Sequence, residues 1–185
     1  MGNDDIKIQP ELTAIHRKSP SYPLKQIFNY LEYDNKILDY GCGHGYDLCY
    51  LKELGFNIKG YDKYIKKYSE DINIEDKFDV INCFYVLNVI ADENERIEVL
   101  SFIKNTMKID SILYIAVRSI EEFKRFKGAY EIHNDGIVTR RKTFQKYFRK
   151  DELYTLIRKV FPYANICEIT GNKNTILLRI QEPYL

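Results

Sequence analysis

Short apolar runs alternate with amphipathic stretches along this chain, and their order carries most of what the sequence says about its fold. Residues 36–40 (KILDY) form a compact apolar run that stops in a glycine-rich turn, the mark of a short buried strand. Residues 47–54 have the apolar spacing of a helix, and Gly55 stands where a helix commonly ends on a left-handed residue. A second strand is predicted over 57–62 (NIKGYD), ending on an acid. The near-continuous run 78–86 (FDVINCFYV) suits a central parallel strand buried on both faces. A helix is predicted over 93–107, with Ile97, Leu100, Ile103 and Met107 on one side and Asp92 as its N-cap. Residues 112–117 (ILYIAV) read as another buried strand.

The flanks are less regular. Residues 1–22 read as an irregular segment punctuated by Pro10 and Pro20, after which Pro23 opens a helix whose Leu24, Ile27, Phe28 and Leu31 share a face. Residues 63–77 are polar and allow at most one helical turn, and residues 118–150 form a basic, mixed region. Asp151 is predicted to cap a helix that turns Leu153, Ile157 and Val160 inward. Two last strands, over 165–169 and 175–180, flank Gly171-Asn172-Lys173-Asn174, a hairpin signal. Strand–helix–strand units followed by a hairpin predict an α/β sandwich, its sheet mostly parallel with one antiparallel edge. No repeat or linker divides the 185 residues, so a single domain over 1–185 is expected, with 118–150 as a basic insertion on the substrate side.

Composition narrows the setting more than the function. An apolar share of 45% and a charged share of 30% are those of an ordinary soluble protein, and a net charge of +1 selects no partner class. Cys42, Cys49, Cys83 and Cys167 form no CxxC pair and no histidine stands at ligand spacing, so no metal site is expected. Scattered thiols, an N-terminus without an apolar signal core and no run near the ~18 residues of a membrane span predict a cytoplasmic protein with no membrane partner. Charge is uneven, however. Residues 118–150 hold ten basic side chains against four acidic ones, a local excess of +6, with Phe144, Tyr147 and Phe148 interleaved. Cations that neutralise phosphates beside rings that stack on bases suit a nucleic-acid surface. On that ground Arg140, Arg141, Lys142, Lys146 and Tyr147 are candidate nucleic-acid contacts, extended by His16, Arg17 and Lys18. A solvated face over ordinary core aromatics is the plainer alternative.

The chemistry concentrates in ILDYGCGHG, residues 37–45. Gly41, Gly43 and Gly45 let the backbone turn sharply and approach a ligand closely. The helix that follows offers its free N–H groups toward the same place. Seventeen residues beyond Gly45, Asp62 ends the next strand, where a carboxylate can accept the hydroxyls of a ribose. The GxGxG spacing, after an aspartate two positions earlier, differs from the usual dinucleotide fingerprint.

LDYGCGHGYDL resembles motif I of S-adenosylmethionine-dependent methyltransferases, and GYD at 60–62 resembles their second acidic motif. The resemblance implies the Rossmann-like class I methyltransferase sandwich with S-adenosyl-L-methionine as cofactor. It puts Gly41, Cys42, Gly43 and Gly45 around the methionine moiety, Asp39 near its end through backbone and water, and Asp62 on the ribose. Asn82, Cys83, Phe84 and Tyr85 would line the adenine and transfer region. More narrowly, HRKSPSYP (16–23), the block 40–62, FDVINCFYVLNVIADENER (78–96) and DGIVTRRKTFQKYFRKDEL (135–153) resemble, in that order, the methyltransferases associated with DNA phosphorothioation systems.

Only seventeen positions separate Asp62 from Asp79, too few for the family's usual helix, third strand and loop. A reduced or absent third strand is therefore expected, with adenine contacts passing to Tyr61, Lys63 or Tyr64. Methyl transfer is an in-line displacement that depends on alignment, and a base is needed only when the acceptor must lose a proton early. The place of a DPPY or NPPY block reads NCFY, and Cys83, with apolar flanks and no preceding proline, reads as inert. Tyr85, Asn88 and His133 are the catalytic candidates, and His44 reads as a turn residue. A nucleic-acid acceptor, DNA ahead of RNA, is the leading expectation. The alternatives are a small-molecule acceptor, or a non-catalytic cofactor-binding module in a DNA modification or defence complex.

Overall fold

The computed structural model describes residues 8–69, 72, 75–169 and 172–183, so Gly171 of the hairpin signal lies outside the described residues. Six strands form the main sheet in the order β2 (Asn57–Tyr61), β1 (Lys36–Tyr40), β3 (Phe78–Phe84), β4 (Met107–Arg118), β9 (Thr175–Gln181) and β8 (Asn165–Glu168). The first four run parallel, β9 is antiparallel to β4, and β8 closes the hairpin against β9. This is the expected α/β sandwich. β2 is the edge strand on the parallel side, and between β2 and β3 the described residues contain one 3-10 turn, Lys66–Tyr68. Among the described residues no strand lies beyond β2 at that edge, where the short spacing led us to expect a reduced or absent third strand.

Strand alternation sorts the core into two layers. Ile37 on β1, Val80 on β3 and Tyr114 and Ala116 on β4 pack with α1 (Tyr22–Ile27) and α2 (Tyr46–Glu53). Leu38, Ile81, Cys83, Leu113, Ile115 and Val117 pack on the other face with α3 (Glu93–Thr106) and α5 (Lys150–Arg158). Caps fix the helix starts. The Ser21 hydroxyl accepts the Leu24 N–H at 3.3 Å, and the Asp92 carboxylate accepts those of Asn94 and Glu95 at 2.6 and 3.2 Å. Helix α5 departs from expectation: it opens at Lys150, and the Glu152 carboxylate, not Asp151, satisfies the Arg149 N–H at 2.9 Å. Leu156 joins Leu153 and Ile157 in the core, and Val160, just beyond the helix end, packs against it partly buried.

The basic region 118–150 is more ordered than its sequence suggests. After a short helix, α4 (Ile120–Phe123), it folds into a separate antiparallel sheet of β5 (Tyr130–His133), β6 (Gly136–Thr139) and β7 (Phe144–Gln145). The β5–β6 hairpin turns tightly at Asn134-Asp135, with Asn134 at φ +50° and His133 paired to Gly136. One buried side chain clasps this small sheet to the main body. Arg96 on α3 is 1% exposed and gives two hydrogen bonds, of 2.6 and 2.7 Å, to Asp135 in the hairpin turn. Its Nε donates to the Ile90 carbonyl at 2.9 Å, and its guanidinium lies over the Phe144 and Phe148 rings. Lys146 adds a second cation 3.1 Å from Asp135. Among the described residues no helix is long and apolar enough to cross a membrane.

Candidate active site

The C-terminal ends of the parallel strands open into one cavity of about 1290 Å³. Clefts for single ligands usually span about 300–1,000 Å³, so this one has room for a cofactor together with an acceptor. Its floor is the turn after β1. The N–H groups of Gly41 and Cys42 both donate to the Tyr61 carbonyl, at 2.7 and 3.0 Å, which latches the turn to the end of β2. Gly41 sits at φ +74° and Gly45 at φ +76°; a Cβ would run into Val86 at the first and into the Tyr68 ring at the second. Both positions thus require glycine for conformation and for space.

Asp62 stands at the cavity edge just past β2. One carboxylate oxygen accepts the Gly43 N–H at 2.8 Å; the other accepts those of Tyr64 and Ile65 at 3.0 and 3.2 Å. Three backbone donors therefore aim this carboxylate, out of about four acceptor positions that such a group offers. Beyond it α3 contributes to the cavity wall through Val99 and Phe102. Tyr40 stacks at a tilt between Tyr61 (5.2 Å) and Phe102 (5.9 Å).

The opposite end is lined by hydroxyls and amides. Tyr85 follows β3 at φ +61°, a conformation that a non-glycine residue holds only under constraint from its surroundings. Its N–H donates to the Ala116 carbonyl at 2.7 Å, and its hydroxyl lies 3.0 Å from that of Thr175. Burial pushes the Tyr85 phenol above its usual range, partly offset by Thr175 and by the nearby Arg17 and Arg118. Asn88, 1% exposed, donates to the Gln145 side chain at 3.3 Å. Asn172, Asn174 and an Arg118–Glu122 ion pair complete this end. The N-terminal segment roofs the cavity: the His16 ring stacks on His44 at 3.6 Å, and the Ser21 N–H donates to Asp47 at 2.8 Å.

A family model for the methyltransferase domain matches residues 15–160, most of the chain and all of the glycine turn. The chain belongs to that family. Several solved structures share the fold at low identity. A protein from Pyrococcus horikoshii superposes with a TM-score of 0.67 at 16% identity, covering 97% of this chain and 94% of that one. An S-adenosylmethionine-dependent methyltransferase from Methanosarcina mazei gives 0.62 at 18% identity, with 89% and 99% covered. The 1,6-didemethyltoxoflavin-N1-methyltransferase of Burkholderia thailandensis, solved with its acceptor and S-adenosylhomocysteine, gives 0.63 at 15% identity, with 86% and 76% covered. No curated protein sequence matches the chain.

In this methyltransferase the candidates from the sequence separate into two groups. Asp39, Gly41, Cys42, Gly43, Tyr61, Asp62, Lys63, Phe84, Tyr85 and Asn88 line the one cavity, and Arg17 joins them from the roof. Lys63 is turned to Glu95 on α3, 3.1 Å away. Gly45 lies behind the turn as the residue that opens α2. Asn82 and Cys83 do not reach the cavity: they are buried within β3, Asn82 in register with Asp39, and burial pushes the Cys83 thiol upward. His133 is outside it too, on β5 with its ring edge toward Phe144.

The basic candidates divide as well. Lys146 is 7% exposed and committed to Asp135, so it is not available to a phosphate. Tyr147 packs against Phe123 at 5.1 Å. Arg118, Lys124, Arg149 and Lys150 all have carboxylate partners; Glu122 and Glu121 already stand in the local balance, so only Asp151 and Glu168 lower the excess, from +6 to +4. Arg140, Arg141 and Lys142 remain exposed on the turn between β6 and β7, and His16 and Lys18 are exposed on the roof. The residues that sequence reasoning missed are Gln145, Asn174 and Thr175. Thr175 pairs with Arg118 across β4 and β9, so the strand order was the signal, and it becomes visible only once the hairpin is placed beside β4.

Asp39 carries the largest electrostatic consequence. Burial, with Asp47 and Asp62 nearby and Arg17 opposing, raises its carboxyl to about 8. An unfolded aspartate ionises near ~3.9. Between those values the folded state holds a proton that the unfolded state has released, so stability falls as pH rises, by up to about 1.4 kcal/mol per pH unit, and levels off above the folded value. Asp39→Asn removes this slope. The variant should gain stability relative to the parent from pH 5 to pH 8 in urea unfolding; parallel pH profiles would contradict the assignment.

Proposed function

We propose that this protein transfers the methyl group of S-adenosyl-L-methionine to a small polar acceptor held at the amide- and hydroxyl-lined end of the cavity. The observation that carries the reading is the single cavity in which the glycine turn, Asp39 and the backbone-aimed Asp62 meet Tyr85, Thr175 and Asn88. The donor fits the other end. The glycine turn leaves backbone free of Cβ atoms for the methionyl part, Asp62 is a pre-aimed acceptor for the ribose, and Tyr61 with Phe102 offers apolar surface for the adenine. When bound, the cofactor supplies a methyl group activated by its sulfonium. The chain then has to align an acceptor and exclude water. Tyr85 and Thr175 hold the acceptor by their hydroxyls, the Asn88–Gln145 amide pair fixes its orientation, and the N-terminal roof covers both ligands. A toxoflavin precursor bound in the Burkholderia relative supports an acceptor of this size. Incubation with donor labelled in its methyl group, followed by separation of small metabolites from nucleic acid, tests the reading. Label in the small-molecule fraction is expected, and label confined to nucleic acid would overturn it.

A nucleic-acid acceptor, DNA ahead of RNA, is the second reading. It is favoured by the exposed Arg140-Arg141-Lys142 turn, whose Lys142 carbonyl accepts the Gln9 N–H at 2.8 Å and so adjoins the roof. The sequence resemblance to phosphorothioation-associated methyltransferases points the same way. On this reading Arg140→Ala with Arg141→Ala weakens DNA binding at every sequence and reduces the salt slope by about two. Unchanged affinity and slope would remove it.

A further inference from the structure

The acceptor end of the cavity is short of hydrogen-bond donors. Asn88 donates to Gln145 through its Nδ2, but its Oδ1 is buried and has no hydrogen-bond partner. Its place is fixed by the backbone: the Asn88 carbonyl accepts the Lys146 N–H at 2.7 Å, within the 3-10 turn Leu87–Val89 that follows Tyr85. Asn174, next to Thr175, has a second Oδ1 that is buried and without a partner. Both residues line the cavity, on either side in the chain of the Tyr85–Thr175 hydroxyl pair. A buried carbonyl oxygen left without a donor costs about 1–3 kcal/mol, so two beside one cavity point to a ligand that brings its own donors.

The same end offers no free base. Among the described residues there, the one carboxylate, Glu122, is paired to Arg118, and burial keeps the Tyr85 phenol protonated. His44 is stacked against His16 at the roof, away from this end. A hydroxyl acceptor has to give up its proton early, whereas a neutral amine already has a lone pair to offer. Charge agrees. Eight carboxyl side chains line the whole cavity against three of lysine or arginine. Of those three, Lys63 is paired to Glu95, Arg118 to Glu122, and Arg17 lies over the Tyr85 ring, 5.8 Å from its centroid. Such a wall disfavours an anionic nucleophile and suits a positive charge that passes from sulfur to nitrogen. We propose that the acceptor is a weakly basic amine, methylated on a nitrogen whose N–H groups are held by the amide oxygens of Asn88 and Asn174. The inference rests on the small-acceptor reading and gives that acceptor its chemical class. The nitrogen lone pair forms the new N–C bond as the S–C bond breaks, and the electrons of that bond stay on sulfur. The nitrogen takes up the positive charge, its bond to the Asn88 oxygen strengthens, and its proton passes to water as the product leaves.

The test is to incubate the full chain with S-adenosylmethionine isotopically labelled in its methyl carbon and a small-molecule extract of bacterial cells. The NMR shift of the transferred carbon separates N-methyl from O-, S- and C-methyl products. A new N-methyl signal is the expected result. An O-, S- or C-methyl signal in its place would overturn the inference and leave the small-acceptor reading standing, and an extract with no labelled product would overturn both. With the amine so identified, Asn88→Ala should lower kcat about tenfold to a hundredfold, the effect of one hydrogen bond to a group that gains charge. Asn88→Asp, which keeps an acceptor oxygen at that place, should stay closer to the parent. Binding of S-adenosylhomocysteine should be the same in all three proteins, because Asn88 lies at the other end of the cavity. An unchanged kcat in Asn88→Ala would overturn the role given to its oxygen. The shift of the methyl carbon, read on the parent protein, decides the acceptor class even if a variant folds poorly.

Discussion

Asp62→Ala is expected to weaken S-adenosylmethionine binding by at least about 2 kcal/mol, roughly thirtyfold, with little change in folding stability. The side chain has two jobs at one place. It accepts the Gly43, Tyr64 and Ile65 N–H groups and so ties the glycine turn to the loop after β2. On the proposed reading the same carboxylate accepts the ribose hydroxyls. Alanine removes both the ligand's partner and the latch that shapes the turn, so binding loses a contact and must also order a looser loop. Asp62 lies outside the strands and both core layers, which is why the fold tolerates the change. Asp62→Asn should fall between, because its amide keeps one acceptor oxygen but sets an NH2 group against a backbone donor. Calorimetric titration of the three proteins is the check. An unaltered dissociation constant for alanine would remove Asp62 from the ribose site.

The largest effect on stability is expected at the clasp. Asp135→Ala leaves two buried cations, the Arg96 guanidinium and the Lys146 ammonium, without their shared carboxylate. Stranding a buried charge in this way costs about 3–5 kcal/mol. Asp135 itself is 37% exposed, so water can partly replace it and the expected loss is near the lower end, about 3 kcal/mol. For a chain of this length that lowers the melting temperature by about 6–12 °C. Removing the cation as well, in Arg96→Met with Asp135→Ala, should recover part of the loss, since the two sites are in contact and their effects are not additive. Burial pushes the Asp135 carboxyl up, but hydrogen bonds from Arg96 and Lys146 hold it below its usual range. Its contribution is therefore present above the ordinary carboxylate value and fades as pH falls through the lower, folded one. Thermal unfolding at pH 7 checks the magnitude; a loss under about 1 kcal/mol would mean that the clasp is not a structural element.

The parallel half of the molecule was legible because its strands are short apolar runs bounded by glycine and acid. KILDY and FDVINCF sit in the sheet where their patterns put them, and Gly55 ends α2 at φ +89°. That the described residues place no strand beyond β2 agrees with the seventeen positions between Asp62 and Asp79. The small sheet of residues 130–145 was not. Its strands are two to four residues long, too short for alternation to develop, although Asn134-Asp135-Gly136 is in hindsight a hairpin turn. Lys146 shows the limit of reading charge from sequence. In a basic run it looks solvated, and only its partner Asp135, eleven positions away, makes it a buried cation. The glycine turn was visible because one contiguous motif builds it, and Tyr85 and Asn88 were candidates from the sequence. Gln145 and Thr175 were not, because they meet Tyr85 and Asn88 only after the sheet order is known.

The measurement that tests the account most directly is calorimetric titration of the purified protein with S-adenosylmethionine and S-adenosylhomocysteine. One-to-one binding of both ligands in the micromolar range, lost in Asp62→Ala, is the predicted result. A folded protein that gives no binding with either ligand would contradict the account at its centre, because the glycine turn, Asp39 and Asp62 would then share a cavity without serving a methyl donor.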